Sequence, residues 1–189
     1  MKTTKGMQTV QPIRDPQKII MLKQLLKEKN IKYYFMLTLG LNSGLRVSDM
    51  LKLRVSDIKD KTHVTITEQK TGKPKRFLIN DMLKEEVNFY ITDSVLSEDD
   101  YIIPSRKGDN RPISRVQAYR ILNEAAKRIG LEEVGTHTMR KTFGYHHYRE
   151  HKDVAVLQSI FNHSAPSVTL RYIGVNQDMQ DSTLQNFFI

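Results

Sequence analysis

The sequence predicts a mixed fold that is mainly α-helical and carries a small antiparallel β-sheet. Apolar residues recur at helical spacing between residues 16 and 29, and the run 32–41 is apolar on nearly every side. The clearest strand pattern lies further on, where Val64 and Ile66 alternate with threonines ahead of a glycine turn. Because helix and strand periodicities differ, these patterns assign the two kinds of element to separate parts of the chain.

The other elements are predicted from their periodicity and their end signals. Asp15 and Pro16 are typical of the N-cap and first turn of a helix. Ser114 and Thr136 are predicted N-caps of two later helices, and Pro104 ends a third short strand. The predicted order is a flexible arm (1–15), helices (16–29, 32–41 and one from Val47), a hairpin (63–80), a helix (81–92), a strand (101–104) and helices (114–128, one from 136, 154–161 and 167–172).

Composition favours a polyanionic partner. The chain of 189 residues has 30 Lys and Arg against 21 Asp and Glu, which gives a formal net charge of +9. Lys and Arg that neutralise phosphates release condensed counterions, so a basic chain suits nucleic acid. The absence of cysteine excludes a disulfide framework, a thiolate zinc site and a cysteine nucleophile, and it suits the cytoplasm. No apolar window is long enough to span a membrane.

The basic residues stop at Tyr172. The tail 173–189 carries only Asp178 and Asp181 as charges, and its last apolar residues are Leu184, Phe187, Phe188 and Ile189. Such a segment is suited to a protein surface, and two partners remain open for it: a neighbouring subunit or the core of its own chain.

Five residues supply the groups that stabilise and protonate a phosphodiester during cleavage. Arg46 and Arg140 could bind the non-bridging oxygens, where negative charge develops in the transition state. Lys70 could protonate the leaving oxygen as general acid. His137, three residues before Arg140, would lie at a helix N-terminus that favours anions, and His163 could donate to the other phosphate oxygen.

Tyr172 is the candidate nucleophile. A phenol with a pKa of about 10 is a weak nucleophile at neutral pH and needs a cationic surround or a base. Each of these residues also has a structural interpretation: an arginine as a surface ion-pair partner, Lys70 as a solvated turn residue, a histidine as a helix cap, Tyr172 as a half-buried aromatic. Composition and spacing alone leave both interpretations open.

Three segments, SGLRVSDMLKL, HTMRKTFG and FNHSAPSVTLRYI, resemble the conserved boxes of the tyrosine recombinase, or phage integrase, family. The family signature is Arg, Lys, His-x-x-Arg, His or Trp, and Tyr in that order, and the match runs from about Tyr33 to Tyr172. The resemblance implies an active site made of Arg46, Lys70, His137, Arg140, His163 and Tyr172, with Asp49 in support. Lys73, Lys75, Arg76, Arg115 and Lys141 are expected to bind DNA. Lys73 and Lys75 also lie in the hairpin, and a shift of strand register would bring one of them to the phosphate instead of Lys70.

The resemblance also implies a reaction and partners. Tyr172 would attack double-stranded DNA to form a 3′-phosphotyrosyl bond and a free 5′-hydroxyl, without ATP or a metal. Residues 16–189 would form the family's catalytic domain, including the tail, which often docks on a neighbouring subunit. Only about thirty residues precede the match, so we expect the helical core-binding domain that usually precedes it to be missing. We therefore expect weak, salt-dependent DNA binding, homo-oligomers assembled on DNA through the tail, and an accessory protein that could replace the absent domain.

Three other functions compete with this one. His147, Glu150 and His151 match the H-x-x-E-H pattern of a zinc protease, although no Glu follows Glu150 as a further ligand. A DNA-binding accessory factor could keep the fold and lose the chemistry, but it would not need Tyr172. A type IB topoisomerase activity would use the same site to relax supercoils.

Overall fold

The computed structural model describes residues 10–185 and 187–188 of the chain. The predicted fold class is confirmed, because the described part is mainly helical with one two-stranded antiparallel sheet. None of its helices is both long and apolar enough to cross a bilayer. The elements are α1 Pro16–Lys29, α2 Ile31–Ser43, α3 Val47–Met50, α4 Val55–Ile58, β1 His63–Thr67, β2 Pro74–Leu78, α5 Asp81–Asp93, α6 Arg115–Lys127, α7 Thr138–His151, α8 Val154–Phe161, α9 Pro166–Ile173 and α10 Val175–Leu184.

Helix α2 lies at the centre of the core and is apolar nearly all round because it packs on several neighbours. Phe35 stacks on Tyr90 of α5 with ring centroids 4.2 Å apart. On another side α2 packs closely against α7, since a Cβ at Gly40 would lie 2.5 Å from Sδ of Met139. Only glycine fits this contact. It fixes α7, which carries the second predicted arginine, against the core.

The predicted hairpin is present. Strands β1 and β2 pair antiparallel, with Val64 opposite Phe77 on the buried face. Gly72 has a φ of 65° in the connecting turn, a left-handed conformation that favours glycine.

The predicted third strand at 101–104 is wrong, because this segment makes only isolated bridges. Tyr101 pairs with Arg54, and Pro104 pairs with Pro112. The two prolines have no N–H to continue a ladder. Ile102 and Ile103 are both completely buried, whereas a half-exposed strand would alternate.

Two expectations about helix starts and the arm need correction. Helix α7 begins at Thr138 with His137 at the N-cap position, and it is the hydroxyl of Thr138, not of Thr136, that accepts a hydrogen bond, from Gly135 N at 2.9 Å. The last residues of the predicted arm pack on α7: Ile13 is buried, and its N–H donates to the hydroxyl of Thr142 at 2.9 Å. Residues 1–9 of the arm lie outside the described part. Asp15 and Ser114 are N-caps as predicted, with side chains that accept from Gln17 N and Gln117 N.

A second, smaller core holds the segment that carries Tyr172. It contains Tyr145, Leu157, Phe161, Ile173 and Val175. Gly144 of α7 makes this packing possible, because a Cβ there would lie 2.7 Å from both Phe161 and Ile173. The side chains of Leu184 at the end of α10 and of Phe187 and Phe188 beyond it are exposed and do not pack on the core.

Candidate active site

Three segments far apart in sequence converge at one carbonyl group. Gly44 ends α2 in the left-handed region, with a φ of 58°. Its carbonyl oxygen accepts a hydrogen bond from Nη1 of Arg140 at 2.6 Å and another from Nζ of Lys75 at 2.9 Å. The turn after α2, the hairpin and α7 are therefore joined at this point.

Arg140 is held rigidly. Its side chain is 2% exposed, and its Nη2 donates to the carbonyl of Phe161 at 2.9 Å. The guanidinium carbon also lies 4.4 Å from the centre of the Phe161 ring. This arrangement ties α7 to the end of α8, just before His163.

Arg46 and Arg140 share a buried carboxylate that the sequence reasoning missed. Glu68 forms an ion pair with Arg46, and its Oε1 lies 3.9 Å from Nη1 of Arg140. Its Oε2 accepts from the Thr71 hydroxyl at 2.7 Å and from Nδ2 of Asn162 at 3.2 Å. Burial opposes the charge on Glu68, but the hydrogen bonds from Arg46, Thr71 and Asn162 outweigh it and lower its pKa to about 2.

A sequence signal for Glu68 exists in the strand periodicity. Val64, Ile66 and Glu68 alternate along β1 and its continuation, so Glu68 falls on the inward face. A carboxylate on the buried face needs a partner, and the arginines supply it.

Asp49 supports the same hairpin. It is buried, and its Oδ1 accepts from the N–H of Gln69 at 3.1 Å. Asp49 follows Arg46 by three residues at the start of α3, so the backbone that carries the first arginine also anchors the end of β1.

The two lysines of the hairpin have opposite environments. Lys70 is exposed in the turn, whereas Lys75 is 5% exposed and donates to the Gly44 carbonyl. Burial and the neighbouring guanidinium of Arg140 lower the pKa of Lys75 to about 7. The structure therefore brings Lys75 into the buried cation cluster and leaves Lys70 at the surface beside it.

Tyr172 lies among the predicted histidines. Its hydroxyl is 3.2 Å from Nδ1 of His137, and its ring packs edge-on against His163 with centroids 5.1 Å apart. Burial raises the pKa of Tyr172 despite the opposing charges of Arg140 and Arg46, so the phenol rests in its protonated form.

Both histidines are neutral at pH 7. Burial, reinforced by Arg140, lowers the pKa of His137 from its ordinary value, and the same two causes lower the pKa of His163 to about 4. Nδ1 of His163 is 3.0 Å from the hydroxyl of Thr169.

The predicted DNA-binding residues fall into two groups. Lys73, Arg76 and Arg115 are exposed. Lys75 and Lys141 are engaged within the protein: the Lys141 ammonium donates to the carbonyl of Val10 at 2.7 Å and lies 5.3 Å from the centre of the Tyr172 ring.

The zinc-protease alternative gains no support from the geometry. His147 and His151 lie at the end of α7 with ring centroids 4.5 Å apart. Within residues 10–185 and 187–188, no group of three His, Cys, Asp or Glu side chains is arranged to hold a metal ion.

Comparison with known proteins identifies the family of the chain. Residues 15–179 match the model of the phage integrase family. The chain is 52% identical to a probable integrase/recombinase, YoeC, of Bacillus subtilis (strain 168), over 91% of this chain and 93% of that protein. It is 32% identical to a tyrosine recombinase of Pseudothermotoga lettingae, over 78% of this chain and 51% of that protein. It thus spans about half the length of that relative.

Solved structures share the fold. The XerA recombinase superposes with a TM-score of 0.72 at 16% identity, covering 95% of this chain and 68% of that one. A lambda integrase dimer bound to a COC′ core site gives a TM-score of 0.69 at 19% identity, covering 87% of this chain and 48% of that one. At these identities the likeness concerns the fold, and the family rests on the sequence matches. Together with the order of its motifs, they show that the chain belongs to the phage integrase, or tyrosine recombinase, family.

Proposed function

We propose that this chain is a site-specific DNA recombinase of the cytoplasm that cuts and rejoins DNA through a 3′-phosphotyrosyl bond at Tyr172. The observation that carries the proposal is the position of the Tyr172 hydroxyl, 3.2 Å from Nδ1 of His137 and beside the buried Arg140. A half-buried structural tyrosine would not need cations and neutral imidazoles around its hydroxyl.

The cleavage step follows from these positions. The phenol oxygen of Tyr172 attacks the phosphorus while its proton passes to the neutral His137, and the bond to the 5′-oxygen breaks. Arg46 and Arg140 stabilise the added charge on the non-bridging oxygens, and His163 donates a hydrogen bond to the phosphate. In the reverse step a 5′-hydroxyl attacks the phosphotyrosine and releases Tyr172, so bonds are exchanged and no external energy is needed.

Lys70 is the general acid of this proposal. The leaving 5′-oxygen belongs to DNA outside the protein, so the proton donor must reach beyond the protein surface. Lys70, exposed in the hairpin turn, can do so. Lys75 is buried on the Gly44 carbonyl and would have to leave it, although its pKa near 7 suits proton transfer. Its expected role is to hold the turn and to add positive potential.

We expect Tyr172→Phe to abolish covalent adducts. The variant removes the attacking oxygen and leaves the ring packing on Phe161 and His163 intact. Wild type and variant are incubated with nicked duplexes drawn from DNA that flanks the coding sequence, and SDS-resistant protein–DNA adducts are counted. An adduct with the wild type alone supports the proposal. Binding by both proteins without an adduct from either would favour the non-catalytic accessory factor.

The lysine assignment is tested with a leaving group that needs no proton. A thiol has a pKa of about 8.5 and therefore leaves as the thiolate. A substrate with sulfur in place of the 5′-bridging oxygen thus needs no general acid. We expect Lys70→Ala to slow cleavage of ordinary DNA about 10²-fold or more and to cleave the sulfur substrate at nearly the wild-type rate. Lys75→Ala is the matched control and should stay impaired on both substrates. If the sulfur substrate instead restored the cleavage rate of Lys75→Ala, Lys75 would be the general acid.

The exposed tail is proposed to dock on a neighbouring subunit when protomers assemble on DNA. Leu184, Phe187 and Phe188 present apolar side chains to solvent, and related solved structures include a lambda integrase dimer on DNA. Phe188→Asp should weaken multi-protomer complexes on paired sites in gel-shift assays while single-site cleavage persists. Gln180→Asp adds the same charge at an exposed polar position and is the control. Unchanged assembly by Phe188→Asp would reject docking by this residue.

A further inference from the structure

Glu68 belongs to none of the three motifs quoted for the family, yet its carboxylate contacts several segments of the site. We infer that Glu68 is a positioning residue for the cleavage reaction: from behind the site, it fixes the Arg46 guanidinium and couples the Lys70 turn to the His163 loop. The inference rests on the proposed function and adds a residue to its machinery.

The contacts of the Glu68 side chain join four separate segments. One carboxylate oxygen pairs with Arg46 before α3 and lies 3.9 Å from the Arg140 guanidinium in α7. The other accepts from Thr71 in the hairpin turn and from Asn162 at the end of α8. Thr71 follows Lys70 and Asn162 precedes His163. The two residues that donate to this oxygen are therefore the sequence neighbours of two predicted catalytic residues.

The backbone of Glu68 closes the same turn. Its N–H donates to the carbonyl of Lys73 at 2.9 Å, and its carbonyl accepts from the N–H of Gly72 at 2.9 Å. Glu68 therefore helps to hold the Lys70 turn relative to the arginines through both its main chain and its side chain.

The exposures of the two side chains show on which side of Arg46 the carboxylate lies. The Glu68 side chain is 0% exposed, whereas the Arg46 side chain is 15% exposed. A phosphate of DNA must approach from solvent and meet the exposed edge of Arg46. Glu68 therefore occupies the protein side of the guanidinium and leaves the open side to the substrate. A carboxylate that blocked the phosphate site would instead lie at the open edge.

Glu68 also supplies charge that the cluster needs. Arg46 and Arg140 are cations largely withdrawn from water, and the carboxylates of Glu68 and Asp49 favour the charged form of the neighbouring Lys75. Removing one partner of a buried ion pair leaves an uncompensated charge, and the freed guanidinium then turns toward other acceptors or water. An arginine that is misplaced by about 1 Å loses much of its stabilising effect on a transition state.

The experiment compares two substrates that differ in the need for the arginines. In a methylphosphonate, a neutral methyl group replaces one charged non-bridging oxygen, so less charge has to be stabilised during attack. Single-turnover adduct formation is measured for Glu68→Gln, which keeps the size and one acceptor oxygen but lacks the charge. On ordinary DNA we expect a loss of about tenfold or more, with DNA affinity unchanged within about twofold. On the methylphosphonate the loss should shrink to less than about twofold, as it should for Arg46→Ala.

Controls separate positioning from folding. Glu124→Gln removes an exposed carboxylate paired with Lys29 and should match the wild type on both substrates. If Glu68→Gln fails to fold, Thr71→Val leaves the carboxylate charged. It removes one hydrogen bond to the carboxylate and a weaker one from Lys73 N within the turn, and it should give a smaller loss that the methylphosphonate also relieves.

The other outcomes overturn the inference in different ways. Equal losses on both substrates would mean a merely structural residue. Faster cleavage of ordinary DNA by Glu68→Gln would mean that the carboxylate blocks the phosphate site. Wild-type rates for Glu68→Gln would remove Glu68 from the mechanism and leave the proposed function intact, whereas no adduct from the wild type itself would reject the proposed function.

Discussion

Arg140 and Lys75 are both withdrawn from water and donate to the same carbonyl oxygen, that of Gly44. Two cations at one acceptor repel each other, and each loses hydration on burial. The surrounding structure compensates with the Phe161 carbonyl and the carboxylates of Glu68 and Asp49. These contacts therefore fix the relative positions of the turn after α2, the hairpin and the start of α7.

This arrangement suits a reaction in which negative charge grows on a phosphate. Guanidinium groups that are already fixed need little reorganisation when the transition state forms, so they stabilise it more than mobile ones would. The same burial that organises the arginines raises the pKa of Tyr172 and lowers the pKa of His137 and His163. The free protein thus rests with a protonated phenol beside two neutral imidazoles. The nucleophile becomes reactive only when it gives up its proton.

Local signals in the sequence predicted most elements of the fold. The caps at Asp15 and Ser114 and the alternation along β1 depend on neighbouring residues, and the structure confirms them. The prediction of a third strand was wrong. The two prolines of the segment cannot donate to a strand ladder, and its two isoleucines are both buried where a strand would alternate. Motif order identified the family and the residues that now surround Tyr172.

Long-range contacts were beyond the reach of the sequence reasoning. Lys75 meets Gly44 across 31 positions, and Glu68 meets Asn162 across 94. No periodicity encodes such pairs. The inward register of β1 did imply that Glu68 is buried, but its partners emerge only when α2, the hairpin, α7 and α8 are placed together.

The most direct test of the account is to locate the covalent bond by mass spectrometry. Tyr172 follows Arg171, and no Lys or Arg comes after it, so trypsin releases residues 172–189 as one peptide that begins with the tyrosine. The account predicts that, after nuclease treatment of the adduct, this peptide carries a nucleotide through a 3′-phosphate on Tyr172. A nucleotide attached to Ser182 of this peptide, or to a peptide from elsewhere in the chain, would contradict it.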